Sequence, residues 1–448
     1  MSAASPRTLH RVWARRVGPL GPYESESGDG ARRGGSRRAV TAGDGGPAVL
    51  QGLGPVLAWI LRRSHNASAA QMAGLISEGA RGLGLVGTRL YLSDVQQLRL
   101  VPLPQHGLQA VEDRGFEIDG SLAGLAYRTE RVQSAPNEDC AWFPMVDGVE
   151  RIGVMQAIGL GHGAADGLLE AGQALASLAA LLVVSKSSHH DLLVLTERTR
   201  PMTLQAELLW AFLPPRTIGI TSATSSAVLE PAYNIGGDAF DHNFIDGVLH
   251  VSLVDAMGHD LASGGASAAA LAACRFVRRS GGTLADIVST VDRTLADWIP
   301  DRLMTAVVAE LDTRHGDFAW INCAHPPPLL LREGRVVHRA LERTAHLPLG
   351  FGYHVSKPPV QEHVRLQPGD RVLMYSDGVT EARSPDGSLF GEQRLADAVI
   401  RSIASGESAP EALRRLVQSL LTRRQHRLRD DATIVLAEWH PPSDRITG

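Results

Sequence analysis

The chain has 448 residues, of which 44% are hydrophobic and 21% are charged, and its formal net charge is −4. This length and balance predict a globular protein of two domains plus a tail. The near-neutral charge gives no electrostatic reason to expect nucleic-acid binding. Three cysteines, Cys140, Cys274 and Cys323, have neither metal-binding nor redox spacing, so we interpret them as ordinary buried residues in a reducing, cytoplasmic compartment.

Residues 1–49 are expected to form a disordered tail, because arginines are scattered there among Gly, Ser and Pro. An export signal would need an apolar core after the arginines, and the Gly and Pro residues at 18–22 interrupt any such core. No later stretch predicts a membrane span, since the most apolar one, residues 168–184, contains Glu170. Residues 441–448 are expected to be a second, short tail.

Residues 50–190 read as a separate domain. Apolar periodicity predicts helices near 56–61, 69–83 and 165–197, and strands at 87–92 and 98–103. Asp147-Gly148 lies between two strand-like runs and predicts a hairpin turn.

Residues 191–215 are expected to be a helical linker. Pro201 interrupts the helical pattern, and Leu204, Leu208 and Phe212 then fall on one predicted helix face before Pro214-Pro215. Such a face is most often core, but a face at a domain boundary can also pack on a partner subunit or on the next domain.

Residues 216–440 alternate between strand and helix patterns. Helices are predicted near 266–279, 284–298, 393–402 and 410–424, and strands at 302–311, 317–322 and 329–331. This order predicts two antiparallel sheets with helices on the outside.

Four predicted strand ends in this region carry aspartates: Asp238, Asp255, Asp377, and the pair Asp430-Asp431. One Asp-Gly would be an ordinary turn, but four acidic strand ends brought together would repel one another in a partly dry site. A divalent cation resolves that conflict, and an all-oxygen ligand set favours Mg²⁺ or Mn²⁺. Two such ions can activate a water and hold a phosphoryl oxygen.

A series of motifs occurs in one order over about two hundred residues: Gly236-Gly-Asp238-Ala-Phe-Asp241, Asp255-Ala-Met-Gly-His259, Asn322-Cys-Ala-His325-Pro, Pro348-Leu-Gly350, Tyr375-Ser-Asp377-Gly-Val-Thr-Glu381, and Asp430-Asp-Ala-Thr433. The series resembles the SpoIIE-like branch of the metal-dependent protein phosphatase 2C (PP2C) family. The resemblance implies an α+β fold class with a C-terminal α-β-β-α sandwich phosphatase domain. The pattern of residues 50–190 resembles a GAF-like α/β sensory domain, and a purely structural α+β domain is the alternative.

Carried over residue by residue, the family pattern implies a two-ion site and a catalytic centre. Asp255 would bridge both ions, Asp238 would bind one, Asp377 and Asp430 would bind the other, and the carbonyl of Ala256 would be a further ligand. His259 is a candidate proton donor to the leaving oxygen, with a structural hydrogen-bonding role as the alternative. Asn322 and His325 are expected to hold loops. The sequence departs from the family at Ala256, Ala324 and Asp260, where glycine, or valine at the first, is usual.

The resemblance therefore implies a Mn²⁺- or Mg²⁺-dependent protein serine/threonine phosphatase that uses metal-activated water. The implied substrate is a phosphorylated regulatory protein in trans, of the anti-anti-sigma type. The N-terminal domain would regulate the enzyme, with a small-molecule ligand as one candidate signal. A homodimer is expected, with neither nucleic acid nor membrane as a partner. The alternative is a catalytically weak regulatory binding protein on the same scaffold.

Overall fold

The computed structural model describes residues 52–105, 115–135, 139–160, 166–383, 387–423 and 430–441. The predicted N-terminal tail and residues 442–448 lie outside these ranges. The described residues form one compact unit.

The N-terminal region contains one antiparallel sheet of six strands in the order β3-β2-β1-β6-β5-β4. The Asp147-Gly148 turn joins β5 to β6, since Asp147 pairs with Glu150. Helices α1, α2 and α4 pack on one face of the sheet through Ile60, Ile76 and Leu175, all fully buried. The elements are α1 (Leu53–Ser64), α2 (Ala69–Gly82), β1 (Gly87–Ser93), β2 (Arg99–Pro102), β3 (Phe116–Glu117), α3 (Leu122–Thr129), β4 (Gln133–Ser134), β5 (Cys140–Asp147), β6 (Glu150–Ile158), α4 (Asp166–Ser187) and α5 (Asp191–Glu197).

The other face of this sheet is covered by α3 and closed by aromatic side chains. Tyr91, Phe116 and Trp142 contact one another with ring centroids 4.9 to 5.6 Å apart. Tyr127 of α3 is 2% exposed in the same cluster. Aromatic packing therefore fills the space between α3 and the sheet.

The single helix predicted over 165–197 is two helices, which corrects that expectation. α4 ends at Ser187 and α5 begins at Asp191. Residues 187–190 are Ser-Ser-His-His, which are poorer helix formers than the leucines before them. Residues 167–187 are long and apolar enough to cross a membrane by length and composition, with mean hydropathy 1.8, but half of that stretch is buried inside the protein. A buried core helix has this same composition, and α4 packs on β5.

The linker helix α6 (Leu204–Phe212) is capped by Thr203, whose side chain accepts the N–H of Ala206. Its buried face runs through Ala206 and Leu209, both fully buried, whereas Leu204 is 67% exposed. Of the three residues expected on one apolar face, Leu208 and Phe212 pack partly buried against the core, whereas Leu204 does not. The helix packs on α7 along a face rotated from the predicted one.

The C-terminal region stacks two antiparallel sheets, with strand orders β15-β12-β11-β10-β9 and β14-β13-β16-β17-β8-β7. Its elements are β7 (Thr217–Ile220), β8 (Ala223–Glu230), β9 (Asp238–Ile245), β10 (Val248–Ala256), α7 (Leu261–Arg279), α8 (Leu284–Trp298), β11 (Met304–Asp312), β12 (Asp317–Cys323), β13 (Leu329–Arg332), β14 (Arg335–Val336), α9 (Tyr353–Ser356), β15 (Glu362–Arg365), β16 (Arg371–Tyr375), α10 (Asp377–Thr380), α11 (Gly391–Ala404), α12 (Ala409–Arg423) and β17 (Ala432–Trp439).

Alternating side chains show how these layers stack. Val435 and Ala437 of β17 lie in the core shared with the first sheet, α7 and α8. Ile434 and Leu436 of the same strand lie in the core shared with α11 and α12. Because successive strand residues face opposite ways, the second sheet lies between the first sheet and the α11–α12 layer. The expected mixed α/β architecture is confirmed, with helices outside two packed sheets.

The N-terminal region contacts α12 through a group of charged and polar side chains, all buried except Asp119, which we call the seam cluster: Gln97, Asp119, Tyr127, Arg151, Glu411 and Arg414. Arg151 Nη1 donates to Glu411 Oε2 at 3.0 Å, and its guanidinium lies over the Tyr127 ring at 4.7 Å. Arg414 donates to Glu411 at 2.8 Å and to Asp119 Oδ1 at 2.7 Å. Both arginines thus have acidic partners at this contact.

Candidate metal centre

Asp238 and Asp255 form the middle of the predicted site. They lie directly opposite each other on the antiparallel strands β9 and β10. Cross-strand partners have Cβ atoms about 5 Å apart and point to the same face of the sheet. Asp238 is only 2% exposed, and Asp255 is partly buried.

The second sheet orients the Asp238 carboxyl. Thr433 Oγ1 donates to Asp238 Oδ2 at 2.6 Å, and Ser376 also hydrogen-bonds to this carboxyl. Thr433 N donates in turn to Ser376 Oγ at 3.0 Å. The end of β16 and the start of β17 therefore fix an acidic side chain that belongs to the first sheet.

Asp431 holds the loop that precedes β9. Its Oδ2 atom accepts the N–H groups of Gly236 at 2.7 Å, Gly237 at 2.8 Å and Asp238 at 3.1 Å. Asp430 is exposed, and its Oδ1 accepts the N–H of Asp431 at 3.0 Å. The preference for Asp430 over Asp431 as a ligand stays a prediction, but one oxygen of Asp431 is already engaged by three amides.

The aspartates raise one another's pKa values. Burial and the carboxylates of Asp377, Asp430 and Asp431 raise the pKa of Asp255 to about 7. Burial, Asp255 and Asp431 raise the pKa of Asp238 well above its ordinary range. Burial raises the pKa of Asp431 to about 6, although its amide donors oppose the shift. Burial and Asp430 also raise the pKa of Asp377. Every charged neighbour named among these causes is another carboxylate.

This donor set fits a hard divalent cation. All of its donor atoms are oxygens, and they come from four chain segments. No basic residue is among the neighbours that dominate the pKa values of these carboxyl groups. Among the described residues, however, no group of three or more His, Cys, Asp or Glu side chains is arranged to hold an ion.

Backbone atoms complete the edge of the centre. Asp377 begins α10 directly after Ser376. The carbonyl oxygen of Ala256 lies so close to Gly237 that a Cβ there would be 2.1 Å away. Gly237 is therefore required for the approach of β9 to the predicted carbonyl ligand.

The two histidines singled out from the sequence lie in different surroundings. His259 is exposed, close to Gly236, and its ring makes no hydrogen bond to the described residues. His325 is buried, with Nδ1 2.6 Å from Thr305 Oγ1 and Nε2 3.1 Å from Tyr375 O. Burial lowers the pKa of His325 to about 4, so its ring is neutral. Asn322 bonds the backbone of His325 in both directions, which fits the loop-holding role expected for this pair.

Two of the positions that depart from the family pattern differ in how well the residue fits its local structure. Asp260 is the N-cap of α7, where its side chain accepts the N–H of Ser263 and also pairs with Arg302. Ala324 has φ 53°, in the left-handed region that glycine favours. Alanine at this position therefore carries backbone strain.

Three residues of the quoted motifs have roles that sequence reasoning did not assign. Ser376 and Thr433 orient Asp238, as described above. Asp241, 1% exposed, binds Arg275 and Arg278 of α7 and so attaches that helix to β9. Their presence in the motifs next to the predicted ligands was the available signal, but spacing alone gives no partner.

Comparisons with known proteins agree with this region. The family model described as Stage II sporulation protein E (SpoIIE) matches residues 245–440. Asp238 lies just before the matched residues. The curated protein IcfG of Synechocystis is 30% identical over 95 residues, which are 21% of this chain and 14% of that protein. The chain therefore spans about a seventh of the length of this relative.

Three solved structures are similar. The RsbU and RsbW domains of a Mycobacterium tuberculosis protein share 25% identity over 51% of this chain and 63% of that one, with TM-score 0.42. The PP2C domain of SiaA from Pseudomonas aeruginosa is 21% identical over 48% of this chain and 85% of that chain, with TM-score 0.42. The M. tuberculosis serine/threonine phosphatase PstP/Ppp is 17% identical over 49% of this chain and 99% of that chain, with TM-score 0.35. The family match indicates that residues 245–440, somewhat less than half of this chain, are similar to the SpoIIE family.

Proposed function

We propose that this chain is a metal-dependent protein phosphatase that hydrolyses phosphoserine or phosphothreonine on a regulatory protein. The observation that carries the proposal is the convergence of five aspartates: burial and neighbouring carboxylates, Asp430 among them, raise the pKa values of Asp238, Asp255, Asp377 and Asp431, with no basic residue among the dominant neighbours. Perturbed carboxylates in such a cluster are typical of a catalytic cation site.

Asp238, Asp255, Asp377, Asp430 and the carbonyl of Ala256 are the residues that would hold two ions, Mn²⁺ or Mg²⁺. When bound, such ions supply activation of the attacking water and neutralisation of phosphoryl charge. We infer that Asp255, which lies opposite Asp238, would serve both ions. Ser376 and Thr433 keep Asp238 oriented. His259, exposed at the edge of the centre, is a candidate to protonate the leaving serine or threonine oxygen.

Hydrolysis of p-nitrophenyl phosphate by the full chain tests the proposal. With Mn²⁺ present, turnover should be measurable, EDTA should abolish it, and added Mn²⁺ should restore it. Turnover that resists the chelator would contradict the metal mechanism.

A catalytically weak regulatory binding protein is the second candidate. It is favoured by the absence, among the described side chains, of a group of three already arranged to hold an ion. No turnover with Mn²⁺ or Mg²⁺, in a protein that melts cooperatively, would support this candidate and reject the first.

We further propose that the N-terminal region is a GAF-like regulatory domain of a cytoplasmic, homodimeric enzyme with a partner of the anti-anti-sigma type. Its route to the centre would run through α6 and α7, because Arg275 of α7 bonds both Phe212 O of α6 and Asp241 of β9. The aromatic packing beneath α3 favours a protein contact over a small molecule as the regulatory signal.

Leu208→Glu tests this route, because Leu208 packs partly buried against the core shared by α6 and α7. Basal activity or oligomeric state should change while the melt stays cooperative. Unchanged kinetics, oligomeric state and melting would contradict control through α6.

A further inference from the structure

Three neighbouring backbone segments border the acidic centre. Ala256 of β10 pairs with Met304 of β11, and Met304 exchanges hydrogen bonds of 3.0 and 2.9 Å with Leu349. Since neighbouring strands lie about 4.8 Å apart, Leu349 lies roughly 10 Å from Ala256. The loop that follows Leu349 therefore stands beside the centre.

Arg302 joins this loop to the segment after Asp255. Its guanidinium donates to Met257 O at 3.1 Å and to Asp260 Oδ2 at 2.6 Å. Its own carbonyl lies against Gly350, where a Cβ would be 2.4 Å away. Residues 257–261 and 349–352 are thereby held as one border.

This border exposes three large apolar side chains, which we call the apolar rim: Met257 is 58% exposed, Leu261 47% and Phe351 60%. Scattered exposed apolar residues need no explanation, but exposed apolar groups gathered beside a reactive centre are typical of a binding surface.

The structure fixes Phe351 in its exposed position. Asp292 of α8, fully buried, accepts the N–H groups of Gly350 at 2.8 Å, Gly352 at 3.0 Å and His354 at 2.7 Å. Gly350 and Gly352 have φ of 109° and 69°. A buried carboxylate with three amide donors makes this loop rigid, so Phe351 is not free to fold inward. Rigid presentation of an aromatic side chain favours binding because little conformational entropy is lost.

We propose that the apolar rim binds the polypeptide on either side of the phosphorylated residue in the protein substrate and selects apolar flanking residues. The inference rests on the proposed phosphatase function. A phosphoserine side chain is short, so its neighbours in the chain must lie on the border when its phosphoryl group reaches the cations that Asp238 and Asp255 would hold. Apolar neighbours would remove Met257 and Phe351 from water, whereas polar neighbours would lose their hydration there.

Two phosphoserine peptides of equal length and charge test the proposal with the full chain and Mn²⁺. One has leucine on each side of the phosphoserine, and the other has serine. We expect kcat/KM to be about tenfold higher for the leucine peptide, the size of effect that one or two apolar contacts give. Phe351→Ser and Met257→Ser should each reduce that ratio severalfold. Because each variant is judged by the ratio of its kcat/KM values for the two peptides, the result does not depend on its total activity.

Phe276→Ser is the matched control. Phe276 is also an exposed aromatic residue, at 67%, but lies on α7 roughly 22 Å along the helix from Leu261. Its replacement should leave the ratio unchanged. Equal use of both peptides by the wild type, or an unchanged ratio in both rim variants, would overturn the rim proposal while leaving the phosphatase proposal intact. If the protein hydrolyses neither the two peptides nor p-nitrophenyl phosphate, the phosphatase function is contradicted, and this inference with it.

Discussion

The acidic centre and the seam cluster both bury charged side chains, but their charge balance differs. In the seam cluster, Arg151 and Arg414 face Glu411 and Asp119, and the side chains of the first three are 3% exposed or less. At the acidic centre, Asp238, Asp255 and Asp431 have only other carboxylates among the charged neighbours that shift their pKa values.

This difference separates a structural role from a functional one. Paired charges with satisfied hydrogen bonds can stay buried without any further group, and they hold two regions in one register. Carboxylates without cationic partners are stable as anions only when a cation is supplied from outside. The seam cluster therefore reads as a fixed joint between regions, and the acidic centre as a site that is completed by ions.

The largest expected effect distinguishes two neighbouring carboxylates of the centre. Asp430→Asn should lower turnover of p-nitrophenyl phosphate about 100-fold through loss of an ion ligand. Asp431→Asn should lower it less than about tenfold and instead reduce thermal stability, because it weakens the bonds to Gly236, Gly237 and Asp238. Steady-state kinetics and melting of both variants measure this, and equal losses of turnover would reject the assignment.

The seam cluster should be sensitive to loss of one partner. Arg151→Ala leaves Glu411 buried with one basic partner fewer and should cost about 3 kcal/mol of the free energy of unfolding. The control is Arg365→Ala, in an exposed pair with Asp317 whose side chains are 66% and 55% exposed, which should cost less than about 1 kcal/mol. Urea unfolding measures both variants. If Arg151→Ala and Arg365→Ala lower the free energy of unfolding by similar amounts, the seam charges contribute no more than exposed surface charges do.

A third prediction concerns a buried acid near the seam. Burial raises the pKa of Glu230 to about 7 from 4.5, and Gln96 of the N-terminal region donates to it at 2.8 Å. Because the folded-state pKa is the higher one, the stabilisation is fully present below about pH 4.5 and is lost as pH rises through about 7. The wild type should therefore lose up to about 3 kcal/mol over that window from this group.

Glu230→Gln should remove that part of the pH dependence, since glutamine stays neutral. Urea unfolding at pH 5 and at pH 7.5 measures the difference for both proteins. A variant with the same pH slope as the wild type would place the titration elsewhere.

The smallest effect concerns Ala324, which has φ 53°. Ala324→Gly should raise the free energy of unfolding by about 1 kcal/mol, because glycine adopts this conformation without strain. Ala319→Gly, inside β12, is the control and should lower stability by about 0.5 to 1 kcal/mol. If Ala324→Gly also lowers the free energy of unfolding, the alanine at this position is not strained.

The sequence was most informative where pattern and turn chemistry agree. The hairpin at Asp147-Gly148 and helix α8 follow directly from a turn dipeptide and from apolar periodicity. The break at residues 188–190 and the exposure of Leu204 were missed, because local propensity near helix ends is weak and the buried face of α6 is set by α7.

Within the centre, motifs indicated which aspartates matter but not what supports them. The bond from Thr433 to Asp238 joins residues 195 positions apart, and spacing cannot reveal such a pairing. The seam cluster was invisible for the same reason, since Arg151 and Glu411 are brought together by the packing of two regions. The assignment of ion ligands remains a prediction.

Calorimetric titration of Mn²⁺ into the full chain tests most directly whether the acidic centre is completed by cations. The wild type should bind two ions per chain, Asp255→Ala should bind neither with measurable heat, and Arg151→Ala should bind as the wild type does, because its charge lies in the seam cluster. Equal Mn²⁺ binding by the wild type and Asp255→Ala, or none by the wild type, would contradict the account.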